Sequence, residues 1–585
     1  MTPRSAHQAV IASLRREVVL LRDELKVAGG GEVHIEAPAA ATGGDAEVAS
    51  LRRELARLSD ELAELRVREF GSPRTGEPAA DRAEEVPAIP VLRELGSLRV
   101  AAILDDISTA CFAPECRLMR IAPTTWRDEL EAVRPDLLLV ESAWSGNSGA
   151  WQYRVGSYPH VDYAGIPDLR ALTSWCRDRG IPTVFWNKED PIHHDRFLEA
   201  AGLFDHVFST DAGSLASYER LGTARSVGVL QFAAQPRIHN PARLVAARRN
   251  APAFAGTYYR DRHDERRRRM ELLLDAARPH GLVIFDRVAD VEGEAYGFPE
   301  RFRSHVVGSL PYARIDEAYK GFDVLLNVNT VDSSPTMFAR RVTEMVASDA
   351  LVVSTPSVGM TAAFGDTVAS VDSPTEAEEA LRAALEDGAQ RRERRLAGRR
   401  LVMREHTYRH RLAQVAAAAG IVTTDGPALP VAVVVEESSH EEQLGAWLDE
   451  QTQPAAEVLV AGEADESAER GGVPLRRVHL QARDGRMRTL ASLASSPWVH
   501  RFDPERPRSP HDLSDLVAYA ATGHADLVGR PADDAASEEH VFAVDIDTGC
   551  ALARRSLVVA RSWPEPADLA TWIRAGVRVY AGDAS

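Results

Sequence analysis

The sequence predicts an α/β protein with two Rossmann-like domains in tandem, preceded by a helical arm and followed by a smaller α/β domain. Short apolar runs alternate with helical patterns over residues 98–420, which is typical of parallel sheets with crossover helices. With 585 residues, the chain is too long for one hydrophobic core. Its 44% hydrophobic and 27% charged residues are typical of a folded globular protein.

Residues 1–70 predict a coiled-coil helical arm. Leucine, isoleucine and valine recur at alternating steps of three and four over residues 11–25 and 48–65, with charged residues between them. We interpret this arm as an oligomerisation or docking element; the alternative is a pair of helices that fold back on the body. Residues 71–97 are rich in Pro, Ala, Glu and Arg and predict a flexible linker.

The N-terminal Rossmann-like domain is predicted over residues 98–235. Its apolar runs cover residues 100–104, 136–141, 182–186 and 206–210. Each run is short and continuous, as expected for a strand that is buried on both faces.

The second Rossmann-like domain is predicted over residues 236–420. Its runs cover residues 253–256, 282–285, 306–308, 324–329 and 351–355. Two doubly wound domains in tandem are expected to bind a ligand in the cleft between them, facing the carboxyl ends of both sheets.

A third α/β domain is predicted over residues 427–585, beginning with apolar runs at 431–435 and 457–461. The arginine-rich stretch 391–406 precedes it. This stretch indicates either peripheral contact with an anionic membrane or partner, or a solvated helix that returns across the domains.

Charge and cysteine usage exclude several classes of protein. The net charge of −18 argues against general nucleic-acid binding, which needs a basic face. The four cysteines form neither a disulfide framework nor a zinc pattern, which predicts a cytoplasmic protein with reduced thiols. No apolar run is long enough to span a membrane, and no signal peptide is apparent.

Residues 324–344 carry the most informative motif. An apolar strand is followed by a loop containing Ser333 and Ser334, which we expect to cap a helix that opens at Pro335. The first turn of such a helix offers free N–H groups to a phosphate. Glu344 and Arg341 lie on this helix, and a carboxylate beside a guanidinium is suited to a ribose and a diphosphate.

Two further loops predict binding chemistry. Gly256, Thr257 and Arg260 follow the first strand of the second domain, where glycine allows close approach to a diphosphate and Arg260, Arg262 or Arg266 neutralises it. Alternatively, the arginine run 266–269 is a solvated helix face.

In the N-terminal domain, the loop 186–194 supplies Glu189, Asp190, His193 and His194 as candidate bases for deprotonating an attacking hydroxyl, with Lys188 as a cation. Any one member, Asp190 above all, is alternatively a helix cap. The loop 141–151 offers Trp144 and Trp151 as flat faces for a sugar, or as core aromatics that pin a surface loop.

Three of these segments, at residues 186–191, 254–258 and 327–344, resemble the CgeB-like group of spore-maturation and glycosyltransferase proteins. The resemblance covers residues 98–419. It implies a GT-B arrangement, a nucleotide-sugar donor bound mainly by the second domain, an acceptor over the first, and no essential metal or other cofactor. Glu344 matches the second of two glutamates that many such enzymes carry, whereas Thr336 stands where the first is expected.

Residues 427–585 resemble, more weakly, a GT-A, family-2-like glycosyltransferase domain that has lost its donor loop. In this resemblance Asp503 and Glu505 fall at the metal-binding motif and are candidates for a divalent cation.

The leading functional hypothesis is a glycosyltransferase that moves a sugar from a nucleotide diphosphate to a hydroxyl of a cell-surface glycan, polymer precursor or protein. In it, Gly256, Arg260, Ser333 and Ser334 cradle the diphosphate and Glu344 holds the ribose. The alternative is a catalytically inactive scaffold for surface assembly, which forms homo-oligomers through residues 1–70.

Overall fold

The computed structural model describes Glu54, Arg57, Leu58 and most of the chain from residue 94 to residue 582. Its ranges are 94–158, 166–242, 248–260, 263–289, 297–310, 314–386, 388–423, 429–463, 465–481, 487–505, 509–522, 525–531, 541–542, 546–548, 551–561, 563, 569–575 and 577–582. Except for Glu54, Arg57 and Leu58, the predicted arm and most of the predicted linker lie outside these residues.

The described residues form two compact units. Unit 1 extends to Phe232 and also contains Ser333–Met337 and Tyr408–Thr424. Unit 2 contains Ala233–Asp332, Phe338–Thr407 and Asp425–Ser585. The third predicted domain therefore groups with the second.

Unit 1 contains a six-stranded parallel sheet in the order β2-β1-β3-β4-β5-β6. Its strands are β1 Arg99–Ile103, β2 Arg117–Arg120, β3 Leu137–Glu141, β4 Thr183–Asn187, β5 His206–Ser209 and β6 Ser226–Val229. Its helices are α1 Asp106–Phe112, α2 Trp126–Val133, α3 Pro167–Asp178, α4 His194–Ala201 and α5 Leu215–Leu221. Strands β1, β3, β4 and β5 are buried throughout, which explains their uninterrupted apolar sequences.

Unit 2 contains a second six-stranded parallel sheet, in the order β12-β11-β10-β7-β8-β9. Its strands are β7 Arg249–Gly256, β8 Val283–Asp286, β9 Val306–Gly308, β10 Phe322–Asn327, β11 Leu351–Ser354 and β12 Val368–Ser370. The helices of this part of unit 2 are α6 Asp264–Ala277, α7 Glu300–Arg303, α8 Asp316–Gly321, α9 Arg341–Ala347, α10 Val358–Phe364, α11 Pro374–Leu385 and α12 Ala389–Glu405. The next helix along the chain, α13 Tyr408–Ala418, belongs to unit 1.

The third sheet is mixed, with nine strands in the order β15-β16-β14-β13-β17-β20-β18-β21-β19. Its strands are β13 Val431–Val435, β14 Glu457–Ala461, β15 Glu466–Arg470, β16 Val473–Val478, β17 Trp498–Arg501, β18 Leu527–Gly529, β19 Val541–Phe542, β20 Leu552–Arg554 and β21 Val579–Ala581. Its helices are α14 Glu441–Glu450, α15 Leu490–Leu493, α16 Asp512–Ala520, α17 Arg555–Arg561 and α18 Leu569–Arg574. Strands β16, β14, β13 and β17 run parallel, whereas β20 is antiparallel to its neighbours β17 and β18.

The arginine-rich helix α12 packs within unit 2. Arg399 is 2% exposed and donates to Asp349 and to the Tyr519 hydroxyl, at 2.9 Å each. Arg400 forms a two-pronged pair with Asp515 on α16. At Arg399 and Arg400, therefore, α12 is not the solvated helix of the second interpretation. Among the helices that are described, none combines the length and the hydropathy that a bilayer span requires.

Candidate functional site

The sheet order of unit 2 reverses between β7 and β10. These two central strands are neighbours, with Leu326 opposite Phe254, and the chain leaves them toward opposite edges of the sheet. In open parallel sheets, ligands bind beyond the carboxyl ends of the strands at this reversal. Gly256 ends β7 and Asn327 ends β10, so these residues mark the expected position.

Close packing at the end of β7 requires a glycine. A Cβ atom on Gly256 would lie 2.7 Å from Cζ of Phe254 and 3.0 Å from Nη1 of Arg341. Arg341 itself donates from Nη1 to the carbonyl oxygen of Ala255 at 2.6 Å. The absent side chain therefore lets a guanidinium lie against the strand end.

Three arginines gather at this strand end. Besides Arg341, Arg266 on α6 lies 3.4 Å from the carbonyl oxygen of Thr257. Arg287 is exposed, but its backbone N–H donates to the carbonyl of Gly256 at 3.2 Å, and its charge contributes to the pKa values of both other arginines. Burial, followed by the nearby charge of Arg341, lowers the pKa of Arg266 to about 10, and Arg287 adds to this effect. Burial also lowers the pKa of Arg341. Burial is the main cause of both shifts, and the proximity of these guanidinium groups concentrates positive charge that can bind an anion.

Two buried polar atoms near the same strand ends have no hydrogen-bond partner. They are Oγ1 of Thr257, which is 4% exposed, and Oδ1 of Asn327, which is 0% exposed. The amide nitrogen of Asn327 donates to Oγ of Ser354 at 2.9 Å, which fixes the side chain. Unpaired buried polar groups are costly, and a bound ligand or water explains their retention.

The structure does not place Arg260 or the serines in this cluster. Arg260 is exposed, and its Nε donates to the carbonyl of Gly297 at 2.8 Å. Ser333 is exposed, whereas Ser334 is buried in unit 1, where its hydroxyl donates to Asp211 at 2.5 Å.

The predicted cap of the following helix is wrong. Helix α9 begins at Arg341, its N-cap Arg340 makes no side-chain cap bond, and Pro335 therefore does not open it. Instead, the Ser334 hydroxyl accepts from the N–H of Met337 at 2.9 Å, while Asn329 accepts from the N–H of Ala339 at 3.1 Å. These side chains hold the segment before α9 as an irregular loop.

Glu344 is completely buried within α9. Its Oε1 lies 2.9 Å from Nε of Arg340 and 3.7 Å from Nε2 of His239, and its Oε2 accepts from the Tyr319 hydroxyl at 3.2 Å. Both carboxylate oxygens therefore already contact protein groups. A ribose diol would have to share or displace these contacts.

Unit 1 has its own order reversal, between β1 and β3. Three charged residues meet beyond these strands and β4: the Nζ atom of Lys188 lies 2.9 Å from both Oδ2 of Asp105 and Oε1 of Glu141. The second oxygen of Glu141, a fully buried residue, has no hydrogen-bond partner. Burial alone lowers the pKa of Lys188, but the two carboxylates outweigh it, so the net pKa is raised and the amine stays charged.

The candidate bases occupy different environments, and two of them, Asp190 and His194, contact each other. Asp190 is fully buried: its Oδ2 accepts from Ser209 at 2.6 Å and Tyr218 at 2.7 Å, while His194 lies 2.8 Å from its Oδ1. Its carboxylate therefore organises neighbouring side chains of the loop.

Glu189 and His193 are partly exposed and both lie against Trp144. Burial raises the pKa of Glu189, although the Lys188 charge and the Trp144 side chain oppose the effect. Burial, followed by the Arg196 charge, lowers the pKa of His193, which favours the neutral imidazole near pH 7. Both groups are thus set up to accept a proton.

The two predicted tryptophans differ. Trp151 is 0% exposed and donates to the carbonyl of Ile121, so it belongs to the core, whereas Trp144 is only partly buried. In the third sheet, Oδ1 of Asp503 accepts from the N–H of Glu505 in a local turn. Among the described residues, no group of three or more His, Cys, Asp or Glu side chains is arranged to hold a metal ion.

Sequence reasoning missed Asp105 and Arg287. Asp105 directly follows the apolar run that ends at residue 104, and Arg287 lies one residue beyond the strand-end Asp286. This position at the carboxyl end of a strand is the sequence signal that identifies both residues.

Comparison with known proteins gives a partial match. Residues 260–417 match a family described as glycosyl transferase-like, so this part of unit 2 is similar to glycosyltransferases. No curated protein matches the chain. The matched region includes Arg266, Arg287, Arg341 and Glu344 but begins after Gly256 and Thr257.

Solved structures show distant similarity. The bacteriophage T4 BGT in complex with UDP and Mn²⁺ is 12% identical, with a TM-score of 0.35, and the match covers 55% of this chain and 98% of that one. Anabaena HepE in complex with UDP-glucose is 12% identical, with a TM-score of 0.36, and the match covers 55% of this chain and 99% of that one. The GtfA/B complex is 11% identical, with a TM-score of 0.28, and the match covers 46% of this chain and 62% of that one. This chain therefore spans less than two thirds of that relative.

Proposed function

We propose that this protein is a metal-independent glycosyltransferase that moves a sugar from a nucleoside diphosphate to an acceptor hydroxyl. The observation that carries the proposal is the cluster of Arg266, Arg287 and Arg341 at the order reversal of the unit-2 sheet. The glycosyl transferase-like match over residues 260–417 supports the same reaction class.

The cluster has the charge that a diphosphate needs. When the bond between the anomeric carbon and the diphosphate breaks, negative charge grows on the leaving oxygen, and fixed guanidinium groups stabilise it. In this proposal the arginines replace a metal ion in that role.

The acceptor oxygen forms the new bond to the anomeric carbon as the old bond breaks, and its proton passes to a protein base. We assign the base to Glu189 or His193, because both are partly exposed and their pKa values suit the task. Asp190, with its carboxylate enclosed by protein donors, is a positioning residue that orients His194 and Ser209.

The domain assignment belongs to the same proposal. Residues 98–235 would carry the acceptor domain and residues 236–420 the donor domain of a GT-B enzyme. Residues 427–585 would form a degenerate GT-A-like module. Residues 1–70 would form a coiled coil that joins copies of the chain.

The test is a thermal-shift and calorimetry screen of the full chain against UDP, GDP, TDP, CMP and ADP, in EDTA and in Mg²⁺. We expect one diphosphate to stabilise the protein in EDTA. Arg287→Ala and Arg266→Ala should each weaken its binding by about 10- to 100-fold, since each removes a charged contact to phosphate. Arg268→Ala is the matched control, because Arg268 lies on the same helix but is exposed and pairs with Glu265.

Binding that requires Mg²⁺ and survives both arginine substitutions would contradict the proposal. Absence of any nucleotide binding would favour the inactive scaffold. One observation is in line with that alternative. Thr336 stands at the position of the missing glutamate, and its hydroxyl accepts from the N–H of Ala212 and donates to the carbonyl of Thr210.

A further inference from the structure

We propose that Trp144, Tyr153 and Tyr158, together with Glu189 and His193, form a binding site for a saccharide in unit 1, so that the acceptor is a glycan. This inference rests on the proposed function and specifies its acceptor. The alternatives are a protein acceptor or a lipid acceptor.

The three aromatic rings form a continuous series. The centroids of Tyr153 and Tyr158 are 5.2 Å apart, and those of Tyr158 and Trp144 are 6.1 Å apart. The His193 ring meets Trp144 edge to face at 5.1 Å. Exposure increases along the series, from the partly buried Trp144 to Tyr153, which is 40% exposed. The rings meet edge to face, with interplanar angles of 77° and 61°, so the exposed ring of Tyr153 is the one that offers its surface to the apolar face of a sugar.

The backbone at Tyr153 is unusual for so large a residue. Its φ angle is +64°, in the left-handed region that bulky side chains avoid. The fold accepts this local cost although Tyr153 remains 40% exposed. Such outliers are concentrated at functional sites.

Polar groups among the rings favour a saccharide over a purely apolar ligand. The Trp144 side chain lies close enough to Glu189 to lower the pKa of that carboxyl, against the effect of burial, and the Arg196 guanidinium lies 5.7 Å from the Trp144 ring centroid. A lipid chain would remove these charged groups from water without replacing their hydrogen bonds, at a considerable cost. Sugar hydroxyls both donate and accept, and can satisfy them.

The position in the fold joins this surface to the proposed chemistry. Trp144 follows β3 and Glu189 follows β4, on the carboxyl side of the sheet and beside the order reversal between β1 and β3. The backbone N–H of Trp144 donates to Asp105, which belongs to the buried Lys188 cluster. A sugar bound along the rings would therefore end next to the candidate bases Glu189 and His193.

The test applies the full chain to a glycan microarray and to maltotriose, cellotriose and triacetylchitotriose by calorimetry. We expect selective binding of at least one glycan class. Tyr153→Ala should weaken it about tenfold through loss of ring stacking, whereas Tyr153→Phe should bind within about twofold of wild type. Leu221→Ala is the matched control, because Leu221 is a unit-1 side chain of similar exposure, 39%.

Nucleotide binding measured on the same samples separates the two proposals. Retained diphosphate binding without any glycan binding would overturn the saccharide site while leaving the proposed function intact. Glycan binding without nucleotide binding would support the site and overturn the transferase. Glycan binding that is equal in wild type, Tyr153→Ala and Leu221→Ala would also overturn the site, since the rings would then have no part in it.

Discussion

Replacing Lys188 by methionine should destabilise unit 1 strongly. Lys188 neutralises both Asp105 and the fully buried Glu141 through two contacts of 2.9 Å. Removing one partner of a buried ion pair costs about 3–5 kcal/mol, because the remaining charge is left without water or counter-charge. Asp105 keeps the N–H groups of Ser145 and Gly146, so most of the cost should arise at Glu141.

Hydrogen exchange followed by mass spectrometry is the appropriate assay, because it reports on β1 and β4 separately from the other sheets. A second variant, Lys188→Met with Glu141→Gln, removes the stranded charge and should recover about half of the lost stability. Arg170→Met is the control, since the Arg170–Glu199 pair is more than half exposed and should contribute at most about 1 kcal/mol. The reasoning is refuted if Lys188→Met costs no more than this control.

Two further predictions concern activity and packing. The transfer rate should fall as the pH decreases, because the base must be deprotonated. The fall should be centred above pH 4.5 if the base is Glu189, whose pKa is raised, and below pH 6.5 if it is His193, whose pKa is lowered. Of Glu189→Gln and His193→Asn, the variant that abolishes this fall in a pH–rate profile identifies the base. Gly256→Val should lower stability by about 1–3 kcal/mol and weaken nucleotide binding, because its side chain collides with Phe254, whereas Gly321→Ala, with nothing within 4 Å of its added Cβ, should change thermal unfolding and calorimetric binding little.

The central strands of the two parallel sheets were predictable because they are buried on both faces, whereas the partly exposed edge strands β2 and β6 were not predicted. Every residue of the strands that contain Val140 and Leu326 is buried, and the sequence of such a strand is therefore a largely continuous apolar run. The third sheet was predictable only in its opening strands. Its β19 and β21 are two and three residues long, too short for a pattern to emerge.

The candidate site was predictable in outline but not in its members. The start of helix α9 was misplaced because the Ser334 hydroxyl binds Asp211, 123 residues away in sequence, and local capping rules do not include such a partner. Arg260 and Arg266 look equivalent in sequence; only the path of the chain before α6 separates the exposed one from the one beside Thr257. Similarly, nothing local distinguishes the buried Trp151 from Trp144.

The membership of Ser333–Met337 and Tyr408–Thr424 in unit 1 has a consequence for biosynthesis. Most of unit 1 has been synthesised by residue 232, yet the contact between Asp211 and Ser334 can form only after about another hundred residues have been added. Domains generally fold in the order in which they are made. Here the first unit can be completed only after much of the second has been synthesised. A gene fragment that ends at the apparent boundary would therefore encode an incomplete domain, and the two units cannot be exchanged between proteins as independent cassettes.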